Sequence, residues 1–307
     1  MRFRTTAAAA LAVLALTATA TACGKEGSPS TSGTPDKGGS SSAATAELPT
    51  YTVKTGVDLA GSKSWDRIKK NGKLVVGVKA DQPNLGYQDP GSKKYSGFDI
   101  EIAKMIAADL GFDESKIEFK TIQSANRETA ISGGQVDYYV GTYTINDERK
   151  KSVSFAGPYF VAGQDLLVKK GGNIKSTDDL KGKKVCSATG STSIQRIKDG
   201  GYGAQPVEYD SYSLCVQNLA SGQVDAVTTD DAILKGYAAQ DPANLEVLGK
   251  PFSEEPYGVG LLKDDKVLQE AITNALKNHE DNGDWKKAYD ATLGKSGVSA
   301  EIPQLQS

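Results

Sequence analysis

Short apolar runs alternate along the chain with longer segments of helical periodicity. LVVGV (74–78) and IEFKTI (117–122) predict buried strands, and SWDRIKKNG (64–72) predicts a helix before the first of them. FDIEIAKMIAADLG (98–111) predicts an amphipathic helix that ends at Gly111. Its predicted apolar face consists of Ile102, Ile106 and Leu110. Strands that alternate with helices favour parallel α/β sheets.

The same alternation continues in the second half of the chain. The predicted strands there are KKVCSA, PVEY and VDAVTT, and the predicted helices are STSIQRIKDG, SYSLCVQNLASG and DDAILKGYAAQ. In addition, SGGQVDYYVGTYT (132–144) resembles SGQVDAVTTDDAI (221–233), because each has a helix end, then Gln-Val-Asp, then a strand with polar residues at its exit. Since open α/β sheets bind ligands at the carboxyl ends of their strands, two lobes that face each other across a cleft are expected.

The stretch GTYTINDERKKS (141–152) follows one of these strands and carries candidate binding chemistry. If the strand continues, Thr142 and Thr144 point to the same side, with Arg149 a short turn away. A guanidinium offers a planar fork of donors and each hydroxyl adds one more, which suits a carboxylate. The alternative is a strand end with ordinary surface polar residues.

The N-terminus has the features of an export signal. Met-Arg-Phe-Arg precedes an uncharged run at 7–22 that is short and rich in Ala and Thr, so residues 1–22 are predicted to be a signal peptide. The run ends in ATACG (20–24), which resembles the lipobox of bacterial lipoproteins, although Ala20 stands where Leu is common. Lipidation at Cys23 would anchor the chain at the membrane surface. The alternative is ordinary cleavage that leaves a plain thiol at Cys23.

Residues 23–50 are rich in Gly, Ser, Thr and Pro and contain almost no large apolar residue. Such a segment cannot bury enough apolar surface to fold, so a flexible tether is predicted. The rest of the chain carries nearly balanced charge, within totals of 36 basic and 38 acidic residues, and no basic stripe that would indicate nucleic-acid binding. His279 is the only histidine, which removes most metal-site and histidine-base mechanisms.

The sequence contains three cysteines. If Cys23 is lipidated, Cys186 and Cys215 remain as an even pair in an exported protein, and a disulfide between them is predicted. Two free buried thiols are the alternative.

Several motifs in a fixed order resemble the extracytoplasmic solute-binding proteins of ABC transporters for polar amino acids, specifically the glutamate/aspartate type. The stretches that carry the resemblance are GVKADQPNLGY, YSGFDIEIAKMIA, SANRETAISGGQVDYYVGTYTINDERKKSVSFAGPYF, GSTS and SGQVDAVTTDD. The resemblance covers residues 65–292 and implies an α/β clamp of type II. Each lobe would be a mixed sheet flanked by helices, and a two-segment hinge would join them. The expected first lobe is 51–162 with 255–307, and the expected second lobe is 163–254.

The resemblance also implies roles for individual residues. Arg149 matches the arginine that binds the ligand carboxylate, with contacts from Thr142 and Thr144. Ser191 and Thr192, in GSTS before a predicted helix, would offer backbone N–H groups and a hydroxyl to the same carboxylate. Asp230 matches the acid that pairs with the ligand ammonium group, and its alternative role is the N-cap of the next helix.

Ligand selectivity depends on a second cationic contact, because an unpaired buried charge is costly. In the acidic-amino-acid branch the candidates fall on Lys79, Ser124 and Arg127, and Tyr87 would cover the aliphatic part of the ligand. An exposed first-turn Arg127 and a solvated strand-end Lys79 are the alternatives. If both side chains point away, a neutral ligand such as glutamine or asparagine becomes the better interpretation.

The expected role is capture of glutamate or aspartate at the extracytoplasmic face and delivery to a membrane permease. No GxxxxGK[ST] sequence occurs, so ATP hydrolysis is expected from a separate cytoplasmic subunit. No cofactor and no metal are expected, and a monomer is the simplest assembly. A clamp-fold enzyme is the rival class, but each cleft acid is assigned to an ammonium group. A ligand sensor is a third possibility that the sequence does not separate from transport.

Overall fold

A computed structural model describes residues 47–298 and 301–305. The predicted signal peptide (1–22), Cys23 and the tether up to residue 46 lie outside the described residues. Within the described part of the chain, no helix is both long enough and apolar enough to span a membrane.

The described part of the chain contains both strands and α-helices. The strands are β1 Leu74–Val78, β2 Asp81–Gln82, β3 Gly86–Gln88, β4 Tyr95–Ser96, β5 Ile117–Thr121, β6 Tyr138–Val140, β7 Val153–Ala162, β8 Gln164–Lys169, β9 Lys184–Ala188, β10 Gln205–Tyr209, β11 Ala226–Asp230, β12 Leu245–Val247 and β13 Glu255–Leu262. The α-helices are α1 Lys63–Asn71, α2 Phe98–Asp109, α3 Arg127–Ser132, α4 Asp147–Lys150, α5 Thr192–Asp199, α6 Tyr212–Ala220, α7 Asp231–Gln240, α8 Lys266–Asp281 and α9 Asp284–Ala291.

Two five-stranded mixed sheets form the centres of two lobes. The first has the order β5-β1-β6-β13-β7 and the second has the order β10-β9-β11-β8-β12. In the first sheet β1 runs parallel to β5 and β6, whereas β13 is antiparallel to β6 and β7. In the second sheet β9 runs parallel to β10 and β11, and β8 is antiparallel to β11 and β12. The mixed sheets that the family resemblance implies are therefore confirmed, and the antiparallel pairs are formed by the strands that leave and re-enter each lobe.

The connections between the lobes lie side by side. β7 of the first sheet is separated from β8 of the second by a single residue, and β13 returns the chain to the first sheet. Glu255, the first residue of β13, pairs with Ala162, the last residue of β7. Aromatic rings fill the space around this crossing, with the rings of Phe160 and Tyr257 5.7 Å apart. Two adjacent strands therefore form the hinge.

The helix α2 differs from its predicted form. Every residue from Phe98 to Asp109 except Lys104 is buried, so the helix has no solvent face of the expected width. It contacts the strands β1 and β6 and the helices α8 and α9, which explains the burial. The predicted stop is correct, since Gly111 follows the helix with a φ of +87°, a conformation that favours glycine.

Cys186 of β9 and Cys215 of α6 form a disulfide, with their Cα atoms 5.6 Å apart. Both residues are fully buried. The bridge therefore ties a strand to the helix that covers it within the second lobe.

Candidate functional site

The candidate binding residues gather between the two sheets. Lys79 follows β1, and Arg127 opens α3 after β5. From the second lobe, Thr192 opens α5 and Asp230 closes β11. Parallel strands place their carboxyl ends at one edge of a sheet, and this brings side chains from distant parts of the chain to one cleft.

The segment after β6 differs from the predicted continuous strand. β6 ends at Val140, and Thr142 adopts a φ of +46°, which a strand cannot accommodate. Asp99 stabilises this turn, because its carboxylate accepts a hydrogen bond from the backbone N–H of Thr142 at 3.2 Å. Thr144 then forms an isolated antiparallel bridge with Tyr257 of β13. The expectation of two hydroxyls in a row on one strand face is therefore wrong.

Arg149 lies buried at the end of this segment, 7% exposed. Asn146 caps the short helix α4, accepting from the Arg149 backbone N–H. The guanidinium donates to the carbonyl of Thr144 at 2.8 Å and to the carbonyl of Gly190 in the second lobe at 3.2 Å. Burial and the nearby Arg127 lower the pKa of Arg149 to about 10, so it stays charged at neutral pH. The surface-polar interpretation of this stretch is excluded by that burial.

Arg127 is 2% exposed and is not a solvated first-turn residue. Its guanidinium donates to the carbonyls of Ser124 (3.0 Å), Thr142 (3.3 Å) and Gly190 (3.2 Å). Arg127 and Arg149 both lie against the ring of Tyr143, 4.5 and 4.7 Å from its centroid. Two guanidinium groups of the first lobe therefore share one carbonyl of the second.

Lys79 is almost fully buried, 1% exposed, so it is not a solvated strand-end lysine. Its ammonium donates to the hydroxyl of Ser124 at 3.3 Å and lies 3.8 Å from the carboxylate of Asp81. Burial lowers the pKa of Lys79, Asp81 opposes that shift, and Arg127 adds to it. The cleft thus contains three buried cations, Lys79, Arg127 and Arg149.

Asp230 occupies the N-cap position of α7 but its side chain makes no capping hydrogen bond. One carboxylate oxygen accepts from the hydroxyl of Tyr257 at 2.7 Å. The other is buried and has no hydrogen-bond partner among the residues that the structure describes. Burial, followed by the negative charge of Glu255, raises the pKa of Asp230 to about 7. A buried oxygen without a donor is suited to a cation brought by a ligand.

The remaining candidates take different positions. The backbone N–H of Ser191 donates a hydrogen bond to the carbonyl of Ala188. The hydroxyl of Ser191 caps α5 by accepting a hydrogen bond from the backbone N–H of Ile194. Thr192, the first residue of α5, keeps a backbone N–H with no partner inside the helix, as first-turn residues do. The strands β2, β3 and β4 form a small separate sheet. Tyr87 of β3 is half-buried and pairs with Asp81 of β2, which places both side chains on the same face of this small sheet.

Several residues of the cleft were not among the candidates that the sequence predicts. The carboxylate of Asp81 accepts a hydrogen bond from the backbone N–H of Tyr212 in the second lobe. The side-chain amide of Gln82 donates to the hydroxyl of Thr142 at 3.1 Å. Glu128 lies 3.4 Å from Arg149, and Glu255 accepts from the hydroxyl of Thr144 at 2.9 Å. Asp81 follows Lys79 at a strand exit, which is the one local hint among them. The others depend on contacts between residues far apart in the chain.

Gly190 shows how closely the lobes approach. A Cβ atom at this position would lie 2.6 Å from the Cα of Ala125 in the first lobe, and its φ of +76° also favours glycine. The cleft therefore contains the buried cations Lys79, Arg127 and Arg149 and the buried carboxylate of Asp230, which are groups that can pair with the charged groups of an amino acid. Residues 47–298 and 301–305 contain no cluster of three or more His, Cys, Asp or Glu side chains that would hold a metal.

Comparison with known proteins identifies the family of the chain. A family model described as bacterial extracellular solute-binding proteins, family 3, matches residues 74–295. The ABC transporter glutamine-binding protein of Bacillus subtilis is 44% identical over 223 residues, 72% of this chain and 81% of that protein. The glutamate-binding protein of Corynebacterium glutamicum is 40% identical over 255 residues, 80% of this chain and 86% of that protein.

Solved structures confirm the predicted fold. An ancestral arginine-binding protein bound to glutamine is 42% identical, with a TM-score of 0.68, and the match covers 73% of this chain and 98% of that one. A cysteine-binding protein from Campylobacter jejuni is 27% identical, with a TM-score of 0.74 and coverage of 79% and 100%. The two-lobe α/β clamp is therefore shared with amino-acid-binding proteins of differing ligand.

Proposed function

Because the chain belongs to the bacterial extracellular solute-binding proteins of family 3, we propose that it binds glutamate, aspartate or both between its lobes and delivers the ligand to an ABC permease. Arg149 holds the α-carboxylate together with backbone N–H groups at the start of α5. Asp230 pairs with the α-ammonium group. Lys79 and Arg127 receive the side-chain carboxylate, with Ser124 beside them and Tyr87 over the aliphatic part.

The observation that carries this proposal is the burial of two cations beyond the one that an α-carboxylate needs. Lys79 and Arg127 are 1% and 2% exposed, and Ser124 contacts both, through its hydroxyl and its carbonyl. Since removing a charge from water is costly unless it is paired, a ligand with a second carboxylate compensates this burial better than a neutral one. The relative from Corynebacterium glutamicum, named as glutamate-binding, supports the same ligand class.

Glutamine is the second candidate, and two observations favour it. Asp81 already lies 3.8 Å from Lys79, and three carbonyl oxygens already accept from Arg127. With that compensation in place, a neutral amide can fill the same space. The relative from Bacillus subtilis is named as glutamine-binding.

The decisive experiment is titration calorimetry on the full chain, which is first unfolded and refolded to strip bound ligand. Glutamate, aspartate, glutamine, asparagine and arginine are titrated in turn. Tight binding of glutamate or aspartate with weak binding of the neutral pair is the expected result, whereas a preference for glutamine selects the second candidate. Arg149→Ala should bind none of them, and native affinity in that variant overturns the assigned carboxylate site.

We also propose that the protein acts as a lipid-anchored monomeric receptor and has no enzymatic activity. The lipobox-like ATACG supports the anchor at Cys23, which lies outside the described residues. The anchor is tested by metabolic labelling with a fatty acid. Label should enter the wild type and be absent from Cys23→Ser, and equal labelling of both would contradict it.

A further inference from the structure

Glu255 carries a buried carboxylate at the hinge, 1% exposed. As the first residue of β13 it lies where the chain returns to the first lobe. Four side-chain hydrogen bonds reach its two oxygens. The donors are Thr144 (2.9 Å), Thr192 (2.9 Å), Arg196 (2.8 Å) and Ser253 (2.7 Å). Such complete pairing offsets the cost of burying the charge.

The donors belong to both lobes. Thr144 lies in the segment after β6 in the first lobe, whereas Thr192 and Arg196 lie on α5 in the second. Both threonines bond to the same carboxylate oxygen, Oε2. A single oxygen atom therefore connects the two lobes, and it cannot keep both contacts if the lobes separate.

The same bonds determine how the threonines can meet a ligand. A threonine hydroxyl has one proton to donate. Thr144 and Thr192 both direct that proton to Glu255, so neither hydroxyl has a proton left for the carboxylate of a ligand. The donors that remain at this end of the cleft are the guanidinium of Arg149 and the backbone N–H groups at the start of α5.

Glu255 also affects the position of Arg149 through Thr144. The hydroxyl of Thr144 is bound to Glu255 at 2.9 Å, and its carbonyl accepts from Arg149 at 2.8 Å. In the second lobe, the hydroxyl of Thr192 at the start of α5 donates to the same carboxylate of Glu255. One carboxylate thus orders both halves of the proposed carboxylate-binding site without contacting the ligand.

We propose that Glu255 is a positioning residue for ligand binding, which fixes Thr144 and Thr192 and so aligns Arg149 with the N-terminus of α5 when the lobes are closed. The proposal rests on the proposed binding of amino acids in this cleft. It does not depend on which amino acid binds, because Glu255 acts on the end that every α-amino acid shares.

The test compares Glu255→Gln with Glu254→Gln, an exposed neighbour of the same type. Titration calorimetry with glutamate and glutamine gives Kd and stoichiometry, and stopped-flow measurement gives the dissociation rate. We expect Glu255→Gln to weaken both ligands by the same factor, about 10- to 100-fold, mainly through faster dissociation, since hydrogen bonds to a charged group are lost. Glu254→Gln should bind like the wild type.

Two results would overturn the proposal: a Kd in Glu255→Gln within about twofold of the wild type, or a loss confined to one of the two ligands. A merely destabilised protein would show an unchanged Kd at reduced stoichiometry, and that result also counts against it. If Glu255→Gln fails to fold because Arg196 is left without its partner, the double variant Arg196→Gln, Glu255→Gln removes both charges and should show the same loss of affinity. Absence of amino-acid binding in the wild type would instead overturn the proposed function itself.

Discussion

The carboxylate of Asp81 in the first lobe accepts a hydrogen bond from the backbone N–H of Tyr212 in the second lobe at 3.0 Å. The backbone N–H of Ser213 donates to the same oxygen at 3.3 Å. Both residues lie in the first turn of α6, so one lobe supplies a cap for a helix of the other. The hydroxyl of Tyr237 on α7 also donates to the Asp81 carbonyl. These contacts must break when the cleft opens.

Replacement of Asp81 by Ala should therefore weaken ligand binding, and glutamine more than glutamate, because Lys79 also loses the carboxylate that lies 3.8 Å from it. A helix cap contributes about 0.5–2 kcal/mol, which corresponds to about a 2- to 30-fold loss of affinity. The loss should appear in the dissociation rate, measured by stopped flow, since closure follows capture of the ligand. Asp89→Ala is the matched control, because Asp89 caps Ser92 within its own lobe. Equal behaviour of the two variants would show that the contact across the cleft contributes nothing to retention.

Lys79 provides a test of selectivity. Lys79→Met keeps most of the side-chain volume but removes the buried charge. We expect glutamate to lose about 30-fold or more in affinity, since removing one partner of a buried charge pair costs about 2–5 kcal/mol, while glutamine changes little. Arg127→Ala should shift the ratio in the same direction but weaken both ligands, because Arg127 also donates to Gly190. A parallel loss for both ligands in Lys79→Met, measured by calorimetry, would remove Lys79 from the selectivity site.

Ligand affinity should depend on pH through Asp230. Burial raises the pKa of Asp230 to about 7, so the group is mostly protonated at pH 5 and ionised at pH 8. A ligand ammonium pairs with the ionised form, and affinity should therefore fall as the pH is lowered from 8 to 5. Calorimetry in buffers of different ionisation enthalpy should detect proton release on binding below pH 7. Flat affinity across this range, or unchanged pH dependence in Asp230→Asn, would contradict the assignment.

Burial of Asp99 should contribute to the stability of the protein in mild acid. Asp99, fully buried, also has its pKa raised to about 7, above the ordinary value of 3.8. Because the folded state then holds protons more tightly than the unfolded state, the stabilisation is complete below pH 3.8 and is lost as the pH rises through 7. The contribution of Asp99 should raise the Tm at pH 5 relative to pH 8, and Asp99→Asn should reduce this difference.

The disulfide should matter for stability more than for recognition. Cys186 and Cys215 are 29 residues apart in sequence. Closing such a loop stabilises a fold by about 3–4 kcal/mol on the chain-entropy model. The double variant Cys186→Ser, Cys215→Ser should lose about that much free energy of unfolding in denaturant titration, with the ligand ranking unchanged. An unaltered free energy of unfolding would show that the bridge adds nothing in this lobe.

Local patterns were sufficient where one segment decides the outcome. LVVGV forms β1 over the predicted residues, and Gly111 ends α2 because its left-handed backbone favours glycine. Local patterns failed where contacts with distant segments determine the burial or the backbone conformation of a residue. Periodicity predicts one apolar face on α2, but contacts with strands and with other helices bury almost the whole helix. Thr142 was predicted in a strand, yet its backbone turns because the distant Asp99 binds its N–H.

The sequence by itself determined the order of strands and helices, the family resemblance and the residue types available to bind an amino acid, since each depends on neighbours along the chain. Only the tertiary structure decided which carboxylates form hydrogen bonds with the residues around the binding site. Glu255 is 111 residues from Thr144 and 63 from Thr192, and Asp81 is 131 from Tyr212. No local pattern encodes a hydrogen bond between segments so far apart. Such bonds arise only when the hinge strands bring the two sheets together.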